Sequence, residues 1–351
     1  MKIAIYNMHF ATLGGGERRT SALAAHLARE HDVTLFVLSP VSPATIKTVF
    51  GIDISKAEIV PLAGQEDHFS EIARYQPDLF INNSFASQLA NPAPLGIYMC
   101  MFPEPESVDL GTYQVITANS AFTAEWIKTR WRRPSEIVYS ACQNMGPPPA
   151  KKEKIILNVA RFFADREAAH HKRQDILLHA FKQAVDRGLS GWELHFIGMI
   201  GAADGDRAFV EHLRSTAAGY PVQVRPAVDF DALQDAFRKS SIYWHATGFG
   251  SCAVRQPMRQ EHLGMSIIEA MSAGAVPIAF NSGGPREIIN PGVNGYLWND
   301  LSELGARSIH LIQQPLLFQR MSVAAALSSR SFDVSGFLAR MDRIIADLNR
   351  H

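Results

Sequence analysis

Residues 261–274, EHLGMSIIEAMSAG, are the stretch that decides the fold of this chain. Ile267 and Met271 have the spacing of one helix face, and Gly274 is a typical helix stop. Gly264 stands just before the first turn and allows close approach of another backbone. A helix is therefore predicted to begin here, with its first amides and its dipole directed at an anion.

Two carboxylates, Glu261 and Glu269, stand eight positions apart around the start of this helix. Ionised carboxylates only accept hydrogen bonds, so they suit hydroxyl-rich groups such as a sugar and a ribose on either side of a phosphate. The amides predicted to contact the anion are those of Gly264, Met265, Ser266 and Ile267.

Outward from this stretch, short apolar segments alternate with amphipathic ones along nearly the whole chain. This alternation is typical of parallel strands joined by crossover helices, so the fold class is predicted to be α/β. Helices are expected around Thr20–Glu30 and Thr123–Arg130. The predicted strands are Lys2–Asn7, Asp32–Leu38, Glu58–Leu62, Asp78–Asn82, Gly96–Met101, Gln114–Ala118, Glu136–Tyr139, Ile155–Ala160, Glu193–Ile197, Val222–Arg225, Ser241–His245 and Val276–Phe280.

Three successive prolines, Pro147–Pro149, interrupt the alternation, and they cannot join a helix or a central strand. We therefore predict a first doubly wound domain over residues 1–147 and a second over 151–332. The apolar helical face at about 333–351 is expected to pack back on the first domain. Open α/β sheets bind ligands at the carboxyl ends of their strands, so a cleft between the domains is the expected site.

Composition excludes several classes of function. The 351 residues carry 34 Lys+Arg and 34 Asp+Glu, which argues against a protein that binds nucleic acid by bulk phosphate neutralisation. No apolar run approaches the roughly 18 residues of a membrane span, and the first residues form a strand pattern rather than a signal peptide. A cytoplasmic protein is expected, with peripheral contact to the inner face of a membrane left open. Cys100, Cys142 and Cys252 are expected to be buried, reduced thiols.

Several other motifs in the chain also have simpler structural explanations. Gly14–Gly16 follows the first strand, but Arg19 stands where a dinucleotide fingerprint needs glycine, and no P-loop occurs. The run remains either an anion loop or an ordinary strand-to-helix turn. Asp204–Asp206 and Asp229–Asp231 resemble metal motifs, although helix caps are far commoner. His170, His171 and His245 lack partners at ligand spacing and are expected to be surface or core histidines.

The cations that a diphosphate would need stand after the first strand of the second domain. Arg161 ends that segment and Lys172 precedes the next helix. Converging cations can neutralise charge that develops on a leaving group. A second glycine-rich turn, Gly283–Gly284, is either a turn or a further ligand contact.

Together, the Glu261/Glu269 spacing, Gly283–Gly284 and the Arg161/Lys172 pair resemble the retaining, nucleotide-sugar-dependent glycosyltransferases of the GT-B fold, family 4. The resemblance covers residues 155–297 well, and the first domain mainly through Gly14–Glu17. It implies two Rossmann-like domains facing across a cleft. The implied enzyme (EC 2.4, hexosyltransferase type) moves a sugar from a nucleoside-diphosphate sugar to a glycan, lipid-linked or small-molecule hydroxyl, without a metal or other cofactor.

The resemblance also assigns roles to single residues. It implies that Arg161 and Lys172 bind the donor diphosphate, that Glu269 binds the ribose and that Glu261 binds the transferred sugar. The amides from Gly264 to Ile267 would contact sugar and phosphate. Gly15 and Gly16 would contact the donor from the first domain.

Two departures from the family pattern stand out: Met101 occupies the position of a frequent histidine, and the loop 162–171 is longer than usual.

The alternative functions are those of a phosphorylase, an epimerase or a catalytically inactive binding scaffold. We place the acceptor beside the loops 9–13 and 102–111. The basic, aromatic segment Phe122–Arg133 is either a membrane-surface helix or a normally packed one. Arg255 and Arg259 lie in a long loop that either touches an anion or is solvated.

Overall fold

A computed structural model describes residues 1–104, 110–149, 151–164 and 171–350. The chain divides into two compact units. The first unit comprises Met1–Ala141 with Phe332–His351, and the second comprises Cys142–Ser331. Each unit has its own parallel sheet with flanking helices.

The strands carry apolar, β-branched runs that are mostly buried, as expected for parallel sheets covered by helices. They are β1 (Lys2–Asn7), β2 (Asp32–Val37), β3 (Glu58–Pro61), β4 (Leu79–Asn82), β5 (Leu95–Cys100), β6 (Val115–Ala118), β7 (Glu136–Ile137), β8 (Ile155–Val159), β9 (Glu193–Gly198), β10 (Val222–Pro226), β11 (Ile242–His245), β12 (Val276–Phe280) and β13 (Tyr296–Trp298).

Most helices lie in the connections between strands, and the last three follow the final strand. They are α1 (Gly15–Leu27), α2 (Pro43–Phe50), α3 (His68–Ala73), α4 (Ala121–Trp131), α5 (Gln174–Asp186), α6 (Asp204–Thr216), α7 (Phe230–Lys239), α8 (Met265–Ser272), α9 (Pro285–Ile288), α10 (Leu301–Gln313), α11 (Pro315–Ser329) and α12 (Val334–Leu348).

The first unit has the strand order β3-β2-β1-β4-β5-β6-β7, with every pair parallel. The C-terminal helix α12 belongs to this unit, because Phe337, Met341 and Ile344 enter the same core cluster as Ile3 and Leu23. Their spacing of three and four residues places them on one face of the helix. The end of the chain thus completes the core that its beginning forms.

The second unit has the strand order β10-β9-β8-β11-β12-β13, again all parallel. In both units the chain first builds outward from one strand and then returns to that strand's other side, which is the Rossmann order. The point of return in the second unit lies between β8 and β11. Trp244 and Trp298 are fully buried in its core cluster.

The structure differs from the sequence expectations at three points. We expected the first domain to end at residue 147, but Cys142–Pro147 lie in the second unit, where the amide of Met145 donates to Ser272 Oγ at 2.9 Å. The short strand β13 was not predicted. Helix α1 begins at Gly15 rather than Thr20, because the carboxylate of Glu17 caps the amide of Gly14 at 2.7 Å.

Two further expectations concern the surface. Cys100 and Cys142 are buried as expected, whereas Cys252 is exposed in the loop after β11, so its predicted burial was wrong. In α4, Trp126 packs 6.2 Å from the Phe102 ring, and Trp131 donates to the carbonyl of Glu104 at 3.1 Å. Both tryptophans therefore have packing partners within the first unit. Among the described residues, no helix combines the length and the apolar character that crossing a bilayer requires.

Candidate functional site

The predicted donor residues of the second unit surround the point where the sheet order reverses. Arg161 follows β8 by two residues, and His245 is the last residue of β11, the strand that pairs with β8. Helix α8 begins at Met265, between β11 and β12. Open α/β sheets bind ligands at this end, at the reversal. The fold therefore places these groups where a ligand is expected.

Glu261, Lys172 and His245 form one contact group, which we call the Glu261 cluster. Lys172 Nζ lies 2.8 Å from Glu261 Oε2, and His245 Nε2 lies 3.2 Å from the same oxygen. The side chains of Lys172 and Glu261 are each 16% exposed and that of His245 is 4% exposed. Of the predicted residues, Lys172 and Glu261 are thus brought into direct contact in a partly covered place. Such charge-assisted hydrogen bonds are stronger than those between neutral groups.

The start of α8 offers backbone donors beside this cluster. Gly264 is its N-cap residue with φ +103°, a left-handed conformation that favours glycine. The amide of Ile267 donates to the carbonyl of Gly264 at 2.9 Å. The amides of Gly264, Met265 and Ser266 have no acceptor in the described ranges. Of the four predicted amides, that of Ile267 is therefore already bonded, and the other three have no partner among the described residues.

Tyr243 joins the two halves of the site. Its hydroxyl lies 2.7 Å from Ser266 Oγ in the first turn of α8 and 3.1 Å from the carbonyl of Val159 at the end of β8. Burial raises the pKa of the Tyr243 phenol, and the nearby charges of Glu261 and Glu269 raise it further. The hydroxyl therefore stays neutral and can donate.

Arg161 and Glu269 differ in their surroundings. Arg161 is half-buried, with its guanidinium carbon 5.9 Å from the centre of the Phe163 ring. The fully buried Gln174 donates to the carbonyl of Arg161 at 3.1 Å and so fixes that backbone. Glu269 is only 2% exposed, much less than Glu261, because α8 packs it into the unit. The two predicted carboxylates therefore do not have equivalent access.

Gly15 and Gly16 lie in the first unit, in the first turn of α1. They are helical and not part of a loop, which corrects the loop expectation. A Cβ on Gly16 would lie 2.9 Å from Met101 Sδ, so the methionine at the family's histidine position packs directly on this glycine. A side chain at Gly16 would need Met101 to move.

The candidate metal motifs serve as helix caps. Asp206 accepts the amides of Ala164 at 2.9 Å and Ala203 at 3.1 Å, and Asp229 accepts that of Ala232 at 2.8 Å. In the portions that the structure describes, no three His, Cys, Asp or Glu side chains are grouped to hold a metal ion. His170 and the central parts of the loops 102–111 and 162–171 lie outside the described residues. In the long loop before Glu261, Arg255 is exposed.

Sequence reasoning missed Tyr243 and Gln174, and it expected His245 to be a surface or core histidine; His245 is buried, but it also contacts Glu261. The signal for Tyr243 and His245 is present in strand β11, IYWH, where polar groups occur at alternate positions of an otherwise apolar strand. Alternate residues of a strand face the same side of the sheet, so Tyr243 and His245 lie on the same face of β11. Gln174 begins α5 and carries no comparable signal.

A family model described as "Glycosyl transferases group 1" matches residues 145–325. The mouse protein "GDP-Man:Man(3)GlcNAc(2)-PP-Dol alpha-1,2-mannosyltransferase" is 25% identical over 307 residues, which cover 80% of this chain and 58% of that protein. The human protein of the same name is 25% identical over 257 residues, covering 66% and 48%. The chain thus spans about half the length of these curated relatives.

Solved structures share the fold over the full chain. The structure described as Anabaena Alr3699/HepE in complex with UDP and glucose has a TM-score of 0.75 at 14% identity and covers 99% of both chains. Sucrose-phosphate synthase from Thermosynechococcus elongatus has a TM-score of 0.71 at 15% identity, covering 100% and 99%. These similarities place the fold in the GT-B class of two Rossmann-like domains.

Proposed function

The chain belongs to the glycosyl transferases group 1 family, and from this premise we propose that it is a retaining glycosyltransferase that uses a nucleoside-diphosphate sugar. The observation that carries the proposal is the Glu261 cluster beside the open amides of α8. It combines an acceptor for sugar hydroxyls with donors for phosphate at one end of the sheet.

The donor diphosphate would occupy the space next to the first turn of α8. The amides of Gly264, Met265 and Ser266 offer hydrogen bonds, and the helix dipole favours negative charge there. Arg161 and Lys172 add positive charge. The amides are fixed before the reaction by the helix, so together with the two cations they stabilise the charge that develops on the leaving diphosphate.

The transferred sugar would bind through Glu261, and the nucleotide ribose through Glu269. Both are acceptor-only groups that suit hydroxyls. During transfer the bond between the anomeric carbon and the diphosphate oxygen breaks, and the acceptor oxygen bonds to the same face of the sugar. Because the new bond forms on the face that the diphosphate leaves, the configuration is retained, and the acceptor's proton passes to the leaving phosphate. The proposed reaction uses no metal, because Arg161, Lys172 and the amides of α8 balance the charge of the diphosphate.

The first donor to test is GDP-mannose, because the mouse and human relatives carry GDP-Man in their names. UDP-glucose is the second, because UDP and glucose are bound in the structural neighbour. The acceptor is a hydroxyl of a glycan or a lipid-linked glycan, by analogy with the same relatives, and a lipid-linked acceptor would bring the protein into peripheral contact with a membrane. The family match does not favour a phosphorylase, an epimerase or an inactive scaffold.

The test is the Glu261→Gln variant, which keeps the size of the side chain and removes its charge. Transfer of sugar to acceptor, followed by product mass, should fall roughly 100-fold or more, because the neutral amide accepts more weakly from the sugar hydroxyls and no longer pairs with the Lys172 ammonium. Glu193→Gln is the matched control, since Glu193 also pairs with a histidine, His195, at 2.7 Å but on strand β9. Unchanged transfer by Glu261→Gln would remove Glu261 from the mechanism, and no transfer by the unmodified protein would reject the proposed function.

A further inference from the structure

His245 is a buried histidine whose ring contacts a predicted substrate-binding carboxylate. It ends β11 at the reversal of the sheet, and its side chain is 4% exposed. Its neighbour two residues earlier, Tyr243, faces the same side of the strand and holds α8 through Ser266. One short strand therefore reaches both parts of the site.

The hydrogen bonding of the imidazole identifies its role. A carboxylate only accepts, so the nitrogen facing Glu261 Oε2 at 3.2 Å must carry the proton. The other nitrogen, Nδ1, is buried and has no partner among the residues that the structure describes. Within those residues, the ring's hydrogen bonding is therefore directed to Glu261.

Lys172 binds the same oxygen but cannot hold it in the same way. Its ammonium sits on a flexible four-carbon chain, whereas the imidazole of His245 has two side-chain torsions and is enclosed by the core. In the proposed function Lys172 also turns to the donor diphosphate. The histidine is then the fixed contact that remains on the carboxylate.

We propose that His245 is a positioning residue, which donates its Nε2 hydrogen to Glu261 and holds that carboxylate for the hydroxyls of the transferred sugar. The proposal rests on the proposed function, because it assigns Glu261 to the sugar. The proposal distinguishes the binding energy of the sugar from that of the nucleoside diphosphate. Contacts to the sugar depend on His245, and contacts to the nucleoside diphosphate do not.

The experiment compares His245→Leu, which has no donor, with His245→Gln, whose side-chain amide can still donate. Calorimetry measures the affinity for the nucleoside diphosphate and for the intact nucleotide sugar, and kinetics measures kcat. For His245→Leu we expect kcat to fall roughly 10- to 100-fold and the affinity for the nucleotide sugar to fall, with affinity for the diphosphate alone within about twofold. His245→Gln should recover most of both losses.

His195→Leu is the matched control, because it removes a buried histidine bound to Glu193 elsewhere in the same unit. It should change neither kcat nor the affinity ratio. The cluster itself is tested by binding in the Glu261→Ala background, where His245→Leu should add no further loss of nucleotide-sugar affinity.

Three results would overturn the proposal. The first is that the unmodified protein transfers sugar and the His245→Leu variant has the same kcat. Another is equal loss of affinity for diphosphate and nucleotide sugar, which indicates a merely structural role. The third is a full additional loss in the Glu261→Ala background. A protein that binds and transfers nothing with any donor fails the proposed function instead, and thermal unfolding of the unmodified protein and of each variant shows whether its fold is intact.

Discussion

At the scale of single residues, the Tyr243 hydroxyl links the strand that leads to Arg161 with the first turn of α8. It contacts Val159 and Ser266, and its ring is fully buried beside that of Phe237. A hydroxyl in this position adds no charge to the site. Its effect is to fix the amides at the start of α8 relative to the end of β8.

Replacing Tyr243 by phenylalanine should therefore weaken the binding of a nucleoside diphosphate and leave the fold intact. The ring and its packing remain, and the lost hydrogen bonds are worth about 1 kcal/mol, roughly a fivefold increase in Kd measured by calorimetry. Ser266→Ala should cause a similar loss, and the double variant should lose little more. Tyr220→Phe, which removes an exposed hydroxyl bonded to Asp186 in the same unit, is the control. Fully additive losses would contradict the link.

The sequence indicated which residue types meet at this site, but not how they pair. Glu261 and Lys172 were expected there because each precedes a helix in a loop that follows a strand. Their contact joins positions 89 apart, and the contact of His245 with Glu261 joins positions 16 apart. Such contacts depend on strand register and rotamers, which local patterns do not encode. The alternation of polar groups in β11 was the signal that could have revealed His245.

At the scale of elements, the turn Gly283–Gly284 packs against the loop that carries Glu261. The amide of Gly284 donates to the carbonyl of Glu261 at 2.7 Å, and a Cβ there would lie 2.4 Å from the Cα and carbonyl oxygen of Leu263. Gly283 has φ +62° and approaches Glu261 equally closely. Both glycines thus allow a close contact between two backbones, in addition to forming a turn.

The Gly284→Ala variant should disturb the loop that carries Glu261. Because the clash is with backbone atoms, the expected result is a loss of stability of about 1–3 kcal/mol together with weaker binding of the nucleotide sugar. Gly305→Ala is the matched control: Gly305 lies inside α10 with nothing within 4 Å of an added Cβ, so alanine should stabilise by up to about 1 kcal/mol. Thermal unfolding and calorimetry measure both effects. A Gly284→Ala protein with native stability and affinity would contradict this contact.

The strands were predicted well because their apolar runs are long and bounded by turn residues. β1 and β12 have the predicted ends, and most others differ by one residue. The three-residue β13 was missed because so short a run carries no periodicity. The start of α1 was missed because glycine is a poor helix former, while the Glu17 cap that supports it depends on local geometry.

At the scale of the molecule, the three prolines marked the change between units but not its position. The division falls at Cys142, because Cys142–Pro147 pack with the second unit, as the bond from Met145 to Ser272 illustrates. Composition can locate a break in regular structure, but packing determines to which of the two units the flanking residues belong. The return of α12 to the first unit followed from its apolar face, which needs a core to cover it.

The whole chain should bind a nucleoside diphosphate without a metal, because Arg161, Lys172 and the amides of α8 supply the positive charge that an ion would otherwise bring. At about 100 times its Kd, GDP or UDP should stabilise the protein by roughly 2.7 kcal/mol, seen as a higher unfolding temperature. We expect the same shift in EDTA and a much smaller one for Arg161→Ala.

The control for that variant is Arg214→Ala, which removes an exposed arginine of the same unit that pairs with Glu211. Arg214→Ala should keep the full rise in unfolding temperature, because Arg214 and Glu211 lie on α6 and not among the predicted donor residues. The loss of a solvated ion pair also changes stability little. Loss of the shift in EDTA would mean that a metal ion binds the diphosphate and that Arg161 and Lys172, which lie between β8 and α5, do not replace it. A shift with GDP but not UDP would assign the donor base to guanine, since both ligands present the same diphosphate to the same amides.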